Sequence, residues 1–190
     1  ILSCYTHRAI DEVTRKISQY APDIPIYRLG ARAENVNDPN CLLLETKVNE
    51  EDGVANRSAA ASQIITSYPV YIGTTHAWLS GRYDNLFKDR KYDVAIIDEA
   101  SQVIIPNALG VIRLAEKFIL VGDHKQLPPV IQSEEAKELT NTLFEILYSN
   151  PNIPDSVKVM LNIQHRMPKA ISDFISKTIL LYTLSVLVKG

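Results

Sequence analysis

The chain has 190 residues, which is enough for one domain of ordinary size with a buried core. Hydrophobic residues make up 46% and charged residues 22%, a composition that argues against disorder. The net charge of −2 excludes bulk attraction to nucleic acid, so any nucleic-acid surface must be local. The two cysteines, Cys4 and Cys41, form no CxxC pair, which favours reduced thiols in an intracellular protein.

Strand and helix patterns alternate along the first part of the chain. Residues 1–4 form a short apolar run that predicts a strand, and apolar residues then recur at helical spacing between positions 9 and 17. A second strand is predicted over 24–29. Residues 31–68 are polar and mixed in charge, which predicts a surface insertion with one helix around 55–66.

The same alternation continues through the rest of the chain. Strands that alternate with helices predict an α/β fold, in which a parallel sheet carries helices on both faces. The predicted strands are 70–75, 94–97, 117–121 and 157–163, and the predicted helices are 107–114, 142–147 and 168–175.

Polar clusters follow five of the predicted strands. Ligands of parallel sheets bind outside the carboxyl ends of the strands, because these ends lie at one edge. We therefore expect a functional site at that edge. The clusters are Tyr5-Thr6-His7, Thr74-Thr75, Asp98-Glu99, Gly122-Asp123 and Gln164-His165-Arg166.

The carboxylates Asp98 and Glu99 suit a Mg-nucleotide site. One carboxylate could hold Mg²⁺ through water, and the next could orient and deprotonate an attacking water molecule. Acidic residues are also common at helix starts, where the dipole favours them, so the pair alone does not decide. Residues 122–129 (GDHKQLPP) follow a second buried strand, which favours a second part of the same site. A plain surface turn would have a similar composition. Arg166 offers a planar fork for phosphate oxygens, but an arginine there is often structural.

Four segments together resemble motifs of superfamily-one helicases. DEASQ (98–102), GDHKQLPP (122–129) and QHRMP (164–168) are similar to motifs two, three and four. SCYTHRAIDEV (3–13) resembles motif Ia, in the form found in the branch that contains the replication helicase-nuclease of Okazaki-flap processing. The matched blocks cover about half of the chain, and their combination is far more specific than any single motif.

This resemblance implies a RecA-like P-loop NTPase domain. Residues 1–176 would form part of the first motor domain, and 177–190 would be a tail of uncertain register. No G-x-x-x-x-G-K-[ST] phosphate loop occurs in the chain. The resemblance implies that such a Walker A segment precedes Ile1 and that a second RecA-like domain of the same protein follows.

The resemblance also implies a role for each residue at the nucleotide. Asp98 would hold Mg²⁺ through water, and Glu99 would be the base that activates water. Gln126 would sense the γ-phosphate of ATP, and Arg166 would contact it. ATP and Mg²⁺ are therefore the implied cofactors.

Single-stranded nucleic acid is the implied partner, with DNA favoured over RNA. The resemblance places its backbone on Tyr5, Thr6 and His7 together with Thr74 and Thr75. Hydroxyl and main-chain N–H donors can bind phosphate without a large positive charge, which agrees with the net charge of −2.

These observations predict an ATP-driven helicase or translocase, represented here by a fragment that is inactive on its own. A RecA-like scaffold that has lost catalysis is the alternative, and an acidic Mg²⁺ phosphoesterase would require more clustered carboxylates. The expected location is intracellular: the nucleus in a eukaryote and the cytoplasm otherwise. Residues 179–188 are too short and too interrupted to span a membrane.

Overall fold

A computed structural model describes residues 1–30, 41–43, 69–83, 87, 90–131, 140–161, 163, 165, 167–175 and 184–189. The strands are β1 (Leu2–Cys4), β2 (Ile26–Leu29), β3 (Cys41–Leu43), β4 (Val70–Thr74), β5 (Tyr92–Ile97), β6 (Ala115–Gly122), β7 (Lys158–Leu161) and β8 (Leu184–Lys189). The helices are α1 (His7–Tyr20), α2 (Thr75–Leu79), α3 (Ile105–Ile112), α4 (Leu143–Ser149) and α5 (Lys169–Ile175). No helix within these ranges is long and apolar enough to cross a membrane.

The strands form one sheet in the order β3-β2-β4-β1-β5-β6-β8-β7. The first six strands in this order are all parallel, which confirms the predicted α/β fold. Strand β8 is antiparallel to both β6 and β7. Strand β7 consequently runs in the same direction as β6.

Alternate side chains of each strand point to opposite faces of the sheet, so both faces carry apolar side chains. Helices cover these side chains on each face. On one face, α2, α3 and α4 pack over a large cluster that includes Tyr27, Tyr71, Trp78, Val111 and Phe144. On the other face, α1 packs over a smaller cluster of Cys4, Ile10, Ile26, Cys41 and Ile72.

The structure differs from the prediction in two segments. Strand β3 lies inside the predicted surface insertion, yet Cys41 and Leu43 are buried and the strand pairs with β2. Strand β8 lies inside the predicted tail and pairs with β6. The predicted helix around 55–66 lies outside the described residues.

Candidate nucleotide and nucleic-acid site

Four polar turns meet at the carboxyl-terminal edge of the sheet. The turns Asp98–Gln102 and Gly122–Gln126 follow β5 and β6 and are called the acidic turns here. The turns Tyr5–His7 and Thr74–Thr75 follow β1 and β4 and are called the hydroxyl turns. Because β4, β1, β5 and β6 are successive parallel neighbours, all four turns leave the sheet at the same edge.

The segment that resembles motif four follows β7 in the chain. Leu161, the last residue of β7, pairs with Leu184, and Gly122 pairs with Ser185. Strand β7 therefore ends at the edge where the acidic turns lie. Gln164 and Arg166 themselves lie outside the described residues.

Asp98 is the first residue after β5, and its backbone N–H donates to the carbonyl of Ser3 at 2.8 Å. Burial raises the pKa of its carboxyl group, and the backbone N–H of Glu99 partly opposes this shift. A cation beside Asp98 would favour the ionised form, so the carboxylate suits a metal ion. Among the described residues, no three His, Cys, Asp or Glu side chains cluster as a metal site. Mg²⁺ that accompanies a nucleotide needs only one or two carboxylates, because it keeps several water ligands.

Glu99 has a left-handed backbone conformation, with φ 54° and ψ 39°. It is the one non-glycine residue with positive φ in the described part of the chain. Such a conformation costs about 1–2 kcal/mol for an ordinary residue and is common at functional sites. The Glu99 carbonyl accepts from the backbone N–H of Gln102 at 2.9 Å and begins a short 3₁₀ helix, Ala100–Gln102. The chain thus turns sharply at Glu99, directly after Asp98.

The two acidic turns are in direct contact through Ser101. The backbone N–H of Asp123 donates to the Ser101 hydroxyl at 3.3 Å, and both residues are buried. A β-carbon at Gly122 would lie 3.0 Å from the backbone nitrogen of Ser101, so a glycine permits this close approach. Ser101 was not predicted as a site residue, although its place within DEASQ was a usable signal.

Asp123 organises the second acidic turn. Its carboxylate accepts from the Lys125 backbone N–H at 2.9 Å and from the Gln126 side-chain amide at 3.4 Å. The Gln126 backbone N–H also donates to the Asp123 carbonyl at 3.2 Å. Gln126 is exposed and tethered at the edge of the sheet, close to Asp123.

Cys4 lies beneath the acidic turns, at the end of β1. Its thiol is fully buried. Burial raises the pKa of the Cys4 thiol to about 12, and the negative charges of Asp98 and Glu99 add to the shift. The thiol therefore remains neutral at physiological pH. Cys4 was not predicted as part of the site, because it lies far from Asp98 and Glu99 in the chain.

The first hydroxyl turn presents its side chains to solvent. Tyr5 is 54% exposed, and Thr6 and His7 are also exposed. The Thr6 hydroxyl caps α1 by accepting from the Ala9 backbone N–H at 3.2 Å. The turn is therefore held rigidly at the start of a helix.

The second hydroxyl turn is buried. The Thr74 hydroxyl caps α2 by accepting from the Ala77 backbone N–H at 3.1 Å. The Thr75 hydroxyl forms a hydrogen bond with the Ser3 hydroxyl at 3.1 Å and donates to the Cys4 carbonyl at 3.4 Å. Both hydroxyls are hydrogen-bonded inside the domain: that of Thr74 caps α2, and that of Thr75 joins the start of α2 to β1.

The chain is similar to one family of known domains and to several known proteins. The family described as an AAA domain matches residues 40–134, which is half of the chain. The DNA replication ATP-dependent helicase/nuclease DNA2 of Xenopus laevis is 33% identical over 181 residues, or 94% of this chain and 16% of that protein. The protein of the same description from Schizosaccharomyces pombe is 33% identical over 181 residues, covering 94% of this chain and 12% of that relative. The human protein is 30% identical over 179 residues, covering 93% and 16%. The chain thus spans less than one fifth of the length of these relatives.

Proposed function

The chain belongs to the AAA-domain family of P-loop NTPases within the superfamily-one helicases, and from this membership we propose that it is part of the motor of an ATP-dependent DNA helicase or translocase. The observation that carries the proposal is the contact between the two acidic turns. Asp123 and Ser101 join the turn that carries Gln126 to the turn that carries Asp98 and Glu99. The two turns are therefore hydrogen-bonded to each other at one edge of the sheet.

Each residue of the acidic turns has a proposed role. Asp98 would hold Mg²⁺ through water, a role that its partly buried carboxylate suits. Glu99 orients the attacking water and accepts its proton. Gln126 contacts the γ-phosphate, and Arg166 is proposed as a second γ-phosphate contact. Bound Mg²⁺ supplies positive charge that offsets the charge of the phosphates.

The exposed hydroxyl turn is the proposed contact for single-stranded DNA. Tyr5 offers a ring for base stacking, and Thr6 and His7 offer polar atoms to the phosphate backbone. Thr74 and Thr75 support this turn from within. DNA is proposed because the relatives are named as DNA replication enzymes. Those relatives are eukaryotic, and the proposed location is accordingly the nucleus.

The test is release of phosphate from ATP by the full-length protein, with and without single-stranded DNA. A motor should hydrolyse ATP and should do so faster when DNA is added. A protein that binds DNA but releases no phosphate in either condition would instead be the scaffold that has lost catalysis.

The 190 residues alone should not hydrolyse ATP. They contain no phosphate-loop lysine and no glycine-rich cradle of backbone N–H groups to hold the β- and γ-phosphates. The measurement is a phosphate-release assay on the purified chain. DNA-stimulated turnover by this chain would show that the nucleotide site is built differently.

A further inference from the structure

An arginine is buried beneath the exposed hydroxyl turn. Arg28 lies in β2, between β3 and β4, and is 3% exposed. Its Nη1 donates to the Asp11 carboxylate, and its Nη2 is 3.4 Å from Nδ1 of His7. His7 and Asp11 are four residues apart on α1, so both face the same strand. The guanidinium group of Arg28 therefore contacts two successive turns of α1.

The contact with Arg28 favours one tautomer of His7. An arginine side chain can only donate hydrogen bonds, so Nδ1 of His7 must accept. The proton of the neutral imidazole then resides on Nε2. Because His7 is exposed at the start of α1, its Nε2–H is available as a neutral donor beside Tyr5 and Thr6.

Burial of the Arg28 guanidinium carries a desolvation cost. Its partner Asp11 is 53% exposed, so the ion pair offsets only part of that cost. Among the described residues, Nε of Arg28 has no hydrogen-bond partner, which adds to that cost. The specific effect of the guanidinium is on the orientation and tautomer of His7.

We propose that Arg28 is a positioning residue that holds His7 as an Nε2–H donor to a phosphate oxygen of single-stranded DNA. The inference deepens the proposed function and rests on its DNA-binding surface. Arg28 itself does not touch the DNA. A neutral donor of this kind adds a hydrogen bond to the complex without neutralising a phosphate charge.

The tautomer is measured by long-range ¹H–¹⁵N NMR of histidine-labelled protein. The His7 signal is assigned by its loss in His7→Gln. In the parent protein, we expect both ring nitrogens at the limiting shifts of the Nε2–H form. In Arg28→Met the shifts should move toward the averaged values of a free imidazole. The proposal would be overturned if the parent protein showed averaged shifts or a proton on Nδ1. This test does not depend on DNA binding.

The contribution to binding is measured with a fluorescent oligothymidylate over a series of salt concentrations. Arg28→Met and His7→Ala should each lower the affinity by about 2- to 10-fold, the worth of one hydrogen bond. The double variant should lose no more than His7→Ala does, because Arg28 acts through His7. If the affinity losses of the two single variants added up in the double variant, Arg28 would not act through His7. The control Arg15→Met removes an exposed arginine of α1 that pairs with Glu12, and it should keep the parent affinity.

The salt dependence separates positioning from direct charge contact. The slope of log K against log salt should be the same in Arg28→Met and in the parent. If Arg28 neutralised a phosphate directly, the slope would change by about 0.7, and the proposal would be wrong. Arg28→Lys serves if the methionine variant does not fold. Its single ammonium group can pair with Asp11 but cannot reach both partners as a fork, so the same loss is expected.

These outcomes also separate the inference from the proposed function. If the parent protein does not bind the oligonucleotide, the proposed DNA surface is wrong, and so is the proposed role of His7. If the parent binds and Arg28→Met binds equally well, only the inference about Arg28 is overturned.

Discussion

The acidic turns and the first hydroxyl turn, Tyr5–His7, leave the same edge of one sheet but have different environments. In the acidic turns Asp98, Ser101 and Asp123 are partly or fully buried, and Asp123 is hydrogen-bonded to Ser101. In the hydroxyl turns the buried hydroxyls of Thr74 and Thr75 support an exposed surface formed by Tyr5 and its neighbours. Burial makes charge costly, which favours a role with a metal ion, whereas exposure favours neutral contacts to a polymer. Adjacent strand ends can thus serve different ligands.

The largest expected effect is that of Glu99→Gln in the full-length protein. Turnover of ATP should fall by about 10²–10⁴-fold, because the amide keeps the size of the side chain but cannot accept a proton. Binding of ATP and of DNA should be retained. The measurements are a phosphate-release rate and a nucleotide titration on the same preparation. A near-normal rate would exclude Glu99 as the base.

Comparing Tyr5→Ala with Thr75→Val distinguishes the roles of the two hydroxyl turns. Loss of a stacking ring should weaken oligothymidylate binding by about 1–3 kcal/mol, and ATP binding should not change. Thr75→Val removes two internal hydrogen bonds and should lower the free energy of unfolding by about 0.5–3 kcal/mol. Its DNA affinity should stay within about twofold of the parent, measured where the variant is folded. Equal losses of affinity in the two variants would show that the buried turn contacts DNA directly.

Asp98→Asn tests the acidic turns by removing a charge. A neutral amide cannot replace the carboxylate in the outer shell of the metal, so Mg-ATP affinity should fall by about 10–100-fold. Oligothymidylate affinity should be unchanged, because its proposed contacts lie in the other pair of turns. The test is a titration with Mg-ATP beside one with DNA. Tight Mg-ATP binding by the variant would remove Asp98 from the metal site.

The same variant should be slightly more stable than the parent without nucleotide. The folded-state pKa of Asp98 is raised by burial, so its ionised form costs stability at neutral pH. That cost is absent below the ordinary pKa of 3.8 and sets in as the pH rises. Asp98→Asn should therefore raise Tm by about 1–4 °C at pH 7, and the gain should vanish as the pH falls toward 4. A gain that did not depend on pH would have another cause.

Local patterns in the sequence were sufficient for most elements of the fold. Apolar periodicity and turn residues identified β1, α1, β2, β4, β5 and β6, and the polarity of parallel strands then brought their carboxyl ends to one edge. Strand β3 was missed because three residues are too few for a recognisable alternation. The place of β8 between β6 and β7 depends on pairing across the sheet, which no local pattern contains.

The sequence by itself determined which chemical groups follow each strand, because motif composition and strand polarity are local properties. Tertiary structure decided which of those groups are exposed. Thr74 and Thr75 are buried because β1 and α2 pack against them, whereas Tyr5 protrudes beyond the same edge. It also decided that Arg28 lies beneath His7 and that Ser101 lies against Gly122. These contacts join residues about twenty positions apart, and only the packing of helices on the sheet brings them together.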